Sequence, residues 1–277
     1  MLPMQLLLAA MWAEGARRAR ATRPPLPFND PNFEPAHPTP VLYLHGISAR
    51  VRSFRQNAEL LRSRGYWVWG YEYGDMIAPG FRGVGDLDLL AGDVAENVDR
   101  VLAATGAQQV DIVAHSQGGL MTKLYIAGGG AERVRRVVAM GANFHGTDLG
   151  GWLPRLEPVI THHPKLASFV APGGVQQLVG SPWSLAHAAV PDTDPRVVYT
   201  SLYSPADRVV TPNSASQLVA ANGADVANIN VAEWYGGYAP RHALMPRDPL
   251  LAELTAWGLE RGPGETRPPG VAWLGRR

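Results

Sequence analysis

The sequence predicts an α/β domain: a mostly parallel central sheet flanked by helices, with an irregular lid-like or cap-like insertion. Three observations carry that expectation. Continuous apolar runs such as "PVLYLHG" (40–46) suit strands covered on both faces, as parallel sheets require. Segments of helical period separate these runs, which is the rhythm of repeated βαβ units. One stretch, 143–195, mixes Gly, Pro, His and Trp without a period and is too long for a plain connection, so it reads as a lid or binding loop.

The elements follow in order. Residues 23–40 are dense in proline, which removes backbone donors and argues for an extended lead-in. After the first strand (40–46), "FRQNAELLRSRG" has helical spacing and stops at Gly65, a suitable C-terminal cap. "YWVWGYEYG" (66–74) reads as a second strand. Between Asp86 and Thr105, Leu90, Val94, Val98, Val101 and Leu102 share one helical face, with Gly106 to end it. "QQVDIVAHS" reads as strand and "QGGLMTKLYIA" as helix; 134–142, 196–204 and 226–234 read as strands, and 248–260 as a closing helix. The domain spans 29–262, after a leader or extension (1–28) and before an exposed tail (263–277).

With 277 residues the chain can bury one large core, and 46% apolar with 18% charged residues is ordinary for a globular protein. A net charge of +1 leaves no electrostatic footprint for nucleic acid or an anionic membrane. Among basic residues only Lys123 and Lys165 are not arginine, which reflects base composition and implies no function. Cysteine is absent, which excludes disulfides, thiolate zinc sites and a cysteine nucleophile. The apolar stretch Leu2–Ala13 is too short to span a bilayer. A signal peptide and an amphipathic or frayed leader both fit it, since no basic residue precedes it and the cleavage site near Ala13–Gly15 is poor.

The chemistry centres on "AHSQGG" (114–119), a nucleophile-elbow pattern with alanine in place of the first glycine. Such a turn brings the residues two before and two after the serine close to their neighbours, so Ala114 and Gly118 must be small. A strand ("VDIVA") precedes Ser116 and a helix starts at Gln117, which favours a nucleophile over a serine that merely caps a helix. The helix start aims backbone N–H groups at the serine, where an oxyanion would form. A second donor is expected from the loop after an early strand; in "YLHGIS" this is the N–H of Ile47, paired with that of Gln117, with Gly46 in the turn. His45 reads as a residue that fixes this loop and His115 as one that shapes the elbow. In this arrangement the acid and then the base follow the serine in the chain. His242 is the histidine between the last strand and the closing helix, while His145, His162, His163 and His187 fall in the irregular segment. Asp207, just past a strand in "SLYSPADRVVTP", reads as the acid; Asp192, Asp194 and Asp225 compete but resemble turn residues.

Together these motifs resemble those of the α/β-hydrolase superfamily, and within it the secreted class 2 lipases and esterases of actinobacteria. "AHPTPVLYLHG", the elbow with its upstream helix, "HGTDLGG", "YSPADRVVTP" and "RHALMPRDP" carry the resemblance from about Asn29 to Glu260. It implies an α/β-hydrolase fold, carboxylic-ester hydrolysis, and the roles above for Ser116, Asp207, His242, Ile47 and Gln117. The absence of cysteine and of a distinct signal peptide departs from relatives that carry both, so secretion or cell-envelope association stands beside a cytoplasmic location.

The expected function is a two-step hydrolysis of lipid-like or other apolar esters, requiring no metal and no organic cofactor. Apolar side chains in "WLPRLEPVI" and "FVAPGGVQQLVGSPWSLAHAAV" would line an acyl or alcohol pocket, or simply cap the core. The expected partner is a small-molecule or lipid ester, with transient contact with lipid interfaces. An acyltransferase or polyester depolymerase with the same triad is the first alternative, and a non-catalytic binding protein on the same fold is the second.

Overall fold

The strands are β1 (His37–Leu44), β2 (Tyr66–Gly70), β3 (Val110–His115), β4 (Val134–Met140), β5 (Val198–Tyr203) and β6 (Asp225–Asn230). In this computed structural model, which describes residues 25–74, 82–151, 162 and 172–270, they form one sheet in the order β2-β1-β3-β4-β5-β6. Every neighbouring pair is parallel. Parallel strands need crossovers, and α1 (Arg55–Ser63), α2 (Leu87–Thr105) and α3 (Gln117–Ala127) make the first three. Two short helices, α4 (Pro172–Gln176) and α5 (Pro182–Ala186), lie in the insertion; α6 (Val231–Trp234) is a single turn and α7 (Pro249–Glu260) closes the domain.

The apolar runs are continuous because each strand serves two cores. Leu42, Leu44, Ile112, Ala114, Val137 and Ala139 face one core, shared with Leu90, Val94, Val98 and Val101 of α2. Val41, Tyr43, Val113, Val138, Met140 and Leu202 face the other, shared with α1 and α7. Alternate side chains point to opposite sides of a strand, so a sheet covered on both faces has few positions left for polar residues. Each fully buried Leu or Val contributes about 1.5–3 kcal/mol relative to exposure.

The helix ends follow the sequence signals. Asp86 caps α2 by accepting from the Asp88 N–H, and Gly106 ends it in the left-handed region at φ 71°. Two strand ends differ from the sequence expectation by four residues, the others by three or fewer. β2 stops at Gly70 rather than residue 74, because its one partner, β1, pairs with it only as far as Tyr43↔Gly70. On the open edge the Asn29 side chain accepts from the Gly70 N–H and donates to its carbonyl, standing in for a neighbouring strand. β6 stops at Asn230 rather than residue 234, because the Asn230 side chain accepts from the Ala232 N–H and starts α6.

The residues read as an exposed tail run on from α7, and 263–267 are exposed. The stretch is nonetheless tied down: Gly264 N–H donates to Asp225, and Tyr235 Oη donates to the Pro269 carbonyl. Residues 271–277, the apolar leader 2–13, His163 and part of the insertion (152–161 and 163–171) lie outside the described residues. Among the described residues no helix is long and apolar enough to cross a membrane.

Candidate active site

Ser116 joins the end of β3 to the start of α3 with φ 55° and ψ −128°, a backbone region costly for a residue with a side chain. Its surroundings hold it there. The Ser116 N–H donates to the Met140 carbonyl at 3.0 Å, and its own carbonyl accepts from the Gly119 N–H at 2.9 Å. The small neighbours have specific causes. Ala114 is fully buried in β3, paired with Leu44 on one side and Ala139 on the other. A Cβ on Gly118 would lie 2.4 Å from the Leu44 carbonyl oxygen, a backbone atom that cannot turn aside. A Cβ on Gly46 would lie 2.9 Å from the Ser116 Cβ.

Three side chains from distant parts of the chain meet at this turn. His242 Nε2 is 3.0 Å from Ser116 Oγ, and His242 Nδ1 is 2.7 Å from Asp207 Oδ2. All three are buried. With Nδ1–H donating to the carboxylate, Nε2 is left as an acceptor toward the hydroxyl. Asp207 follows β5, and its other oxygen accepts from the Val209 and Val210 N–H groups at 2.8 and 2.9 Å. His242 opens a 3-10 turn (His242–Arg247) that leads into α7.

The competing acids and histidines have other partners. Asp192 binds Lys123 Nζ at 2.7 Å and the Val219 N–H at 2.8 Å. Asp194 pairs with Arg196, and Asp225 with Arg261. His145 lies 3.1 Å from Asp192, and His187 stacks on Trp183. His115 donates from Nε2 to the His242 carbonyl at 3.0 Å, so its ring braces the loop that carries His242. Burial, with the nearby His242 as a second cause, holds the His115 imidazole well below its usual pKa of 6.5 and keeps it neutral. His45 donates from Nδ1 to the Gly46 carbonyl at 2.9 Å, stacks on Tyr73, and accepts at its own carbonyl from Tyr73 Oη at 2.6 Å.

Two backbone donors lie near Ser116: that of Gln117, the next residue, and that of Ile47, which lines the same clefts as Ser116. Gln117 is the first residue of α3, where N–H groups have no acceptor within the helix. The Ile47 N–H makes no backbone hydrogen bond among the described residues. The loop that holds Ile47 is pinned at Ser48, whose N–H donates to the Arg82 carbonyl at 2.7 Å.

Ser116 lies where two clefts meet. One, of about 370 Å³, runs between the segment after β1 and the His242–Arg247 turn, and its walls include Arg50, Arg52 and Arg247. The other, of about 320 Å³, is walled by Leu149, Val175, Leu178 and Val210, with Asn143 and Gln177 at its polar side. Ile47, Ser116 and Val209 border both.

Residues 39–157 match the model of a family described as having the alpha/beta hydrolase fold. Aspergillus fumigatus lipase B superposes with a TM-score of 0.67 at 20% identity, over 87% of this chain and 56% of that one. Bacillus licheniformis lipase BlEst2, in its propeptide form, gives 0.61 at 14% identity, over 88% and 56%. A Listeria innocua gene product gives 0.51 at 14% identity, over 83% and 96%. The chain has the α/β-hydrolase fold. It spans 56% of the length of each of the two lipases.

In this α/β-hydrolase fold several residues around Ser116 escaped the sequence reading. Gly141, just past β4, has φ 50°, and a Cβ there would lie 3.0 Å from Asp207 Oδ2 and 3.3 Å from His242 Nδ1. Any side chain at that position would press on the Asp207–His242 pair. Gln177, which follows α4, donates to the Gln117 side chain and accepts from Asn143, both at 2.7 Å. The Gln117 amide also donates to the Gly83 carbonyl at 2.7 Å, so the start of α3 is tied to the insertion and to the segment before α2. A glycine next to a strand end was the only hint of the first. The second had none, because its partners are far away in the chain.

Proposed function

We propose that this protein hydrolyses carboxylic esters with an apolar acyl group, using Ser116 as nucleophile, His242 as general base and acid, and Asp207 as the residue that orients and stabilises the imidazolium. The observation that carries this reading is the continuous relay from Ser116 Oγ through His242 to Asp207, at 3.0 and 2.7 Å. The N–H groups of Ile47 and Gln117 form the oxyanion hole, Ala114 and Gly118 keep the elbow tight, and His115, His45 and Gly46 hold the flanking loops. The motifs like those of actinobacterial class 2 lipases and esterases, and the lipases among proteins of similar fold, lend support.

The steps follow from the geometry. Ser116 Oγ bonds to the ester carbonyl carbon as its proton moves to His242 Nε2, and Asp207 stabilises the resulting imidazolium. The carbonyl oxygen becomes an oxyanion between the two N–H groups, each worth about 10²–10³-fold in rate where such donors have been removed. His242 then gives its proton to the departing alcohol, leaving an acyl-serine. Water attacks that acyl group with the same base, releasing the acid and restoring Ser116.

The non-catalytic alternative is disfavoured by the intact relay, since a binding module has no need of a serine held in a strained backbone. An acyltransferase or depolymerase would share every step up to the acyl-serine. Turnover of p-nitrophenyl esters of increasing chain length, with competing alcohols present, tests the reading. Free acid is the expected product, and Ser116→Ala is expected to retain the fold and lose turnover by about 10⁴-fold or more. Undiminished hydrolysis by Ser116→Ala would refute the assignment.

A further inference from the structure

The cleft on the His242 side of Ser116 carries charge that ester hydrolysis by itself does not use. Arg52, from the turn after β1, and Arg247, from the turn that His242 opens, both line it and both are exposed. Among the described residues neither guanidinium makes an ion pair or hydrogen bond, and no aspartate or glutamate lines this cleft. Many arginines elsewhere are matched, as Arg62 is with Asp30, Arg64 with Glu253, Arg196 with Asp194 and Arg261 with Asp225; Arg208 and Arg241 are exposed without such a partner among the described residues, but neither lines this cleft. With 25 basic and 24 acidic residues the chain is close to neutral, so two unmatched guanidiniums beside the candidate nucleophile are not a sample of a generally basic surface.

The two clefts also have a sense. The imidazole that protonates the leaving oxygen must lie on the alcohol's side of the reacting carbon. His242, Ala243 and Pro246 line the arginine cleft, whereas His242 does not line the apolar one. The alcohol therefore belongs with the arginines and the acyl chain with Leu149, Val175 and Leu178.

Resting on the ester reading above, we propose that the leaving alcohol bears an anionic group, a carboxylate or a phosphate, held by Arg52 and Arg247. A guanidinium presents a planar fork of donors that matches either anion in a bidentate way. The demand for apolar character then falls on the acyl arm alone. Because both guanidiniums are exposed, their effect weakens with salt.

The test compares p-nitrophenyl butyrate with the butyrate ester of a carboxylated nitrophenol, which share an acyl group and differ by one charge. The readout is the ratio of their kcat/KM values, which cancels any general loss of activity. The wild-type protein is expected to favour the carboxylated ester. The preference is expected to fall by about tenfold in the double variant Arg52→Gln, Arg247→Gln, the scale of one charge-assisted hydrogen bond, and to persist in Arg52→Lys, Arg247→Lys. No preference in the wild type, or an unchanged ratio in the glutamine variant, would overturn the proposal. A second arm needs no turnover: calorimetric binding of the carboxylated nitrophenol, glycerol phosphate, p-nitrophenol and glycerol to Ser116→Ala. Binding of either anion, but not of its neutral counterpart, supports the proposal and says which anion is preferred; equal binding or none of the four counts against it. Failure of both esters to turn over, with charge-dependent binding intact, would instead count against the ester reading.

Discussion

At Ser116 a backbone at φ 55° is held by two hydrogen bonds and by the absence of side chains at Gly46 and Gly118, so the hydroxyl stands at the tip of a turn with no freedom to retreat. His115, next to it, supplies a prediction with a defined sign. Its folded pKa lies well below 6.5, so between that value and about 6.5 the unfolded chain binds a proton that the folded chain does not. Stability is therefore complete above about pH 6.5 and falls as the pH drops below it, by up to about 1.4 kcal/mol per pH unit from this group. His115→Gln, which retains an N–H donor for the His242 carbonyl, is expected to flatten that slope in urea unfolding between about pH 5 and about pH 8. An unchanged slope would mean that His115 is already charged in the fold. At this scale the sequence was informative where a residue's surroundings are local. Ser116 was legible from its flanking strand and helix, and Asp207 and His242 from their positions after strands and in chain order. Gly141 and Gln177 were not, because what they touch lies tens of residues away.

The elements were legible wherever a periodic run ended in a local signal. Asp86 and Gly106 bound α2 as expected, and Gly65 follows α1 at φ 85°. β2 and β6 were read too long for a different reason: "YEYG" and "VAEW" suit strands locally, but the first has no partner strand and the second is taken by a cap at Asn230. The helix that follows His242 depends on one such cap. Asp248 accepts from the Leu250 and Leu251 N–H groups at 2.9 and 3.1 Å, with Pro249 beginning α7, and it accepts from Tyr238 Oη at 2.5 Å. Asp248→Ala is expected to destabilise the protein by about 1–2 kcal/mol, the range for a lost N-terminal cap. Urea unfolding monitored by circular dichroism measures it, and a change below about 0.3 kcal/mol would show that α7 is positioned by packing alone.

For the whole molecule, two cores on either side of a single parallel sheet bring Ser116 and His242, 126 residues apart, within hydrogen-bonding distance. Composition and rhythm foretold the sheet but not the polar staple that closes it. Arg261 is fully buried just past α7; it reaches Asp225 at 2.8 Å, the Tyr199 carbonyl at 2.8 Å and Thr200 at 3.0 Å, tying the C-terminal segment to β5 and β6. In the sequence it is one arginine among many at the edge of a Gly/Pro-rich tail. Arg261→Ala is expected to cost about 3 kcal/mol, the lower end for a broken buried pair because Asp225 retains contact with water; a loss below about 1 kcal/mol in chemical unfolding would contradict that role. The claim that joins all three scales is that the fold makes Ser116, and no other serine, a nucleophile. Treating the folded protein with a fluorophosphonate and mapping the modified peptide tests it directly. Covalent label is expected at Ser116, lost on unfolding and strongly reduced in His242→Ala; label at another residue, or none on the folded protein, would overturn the assignment.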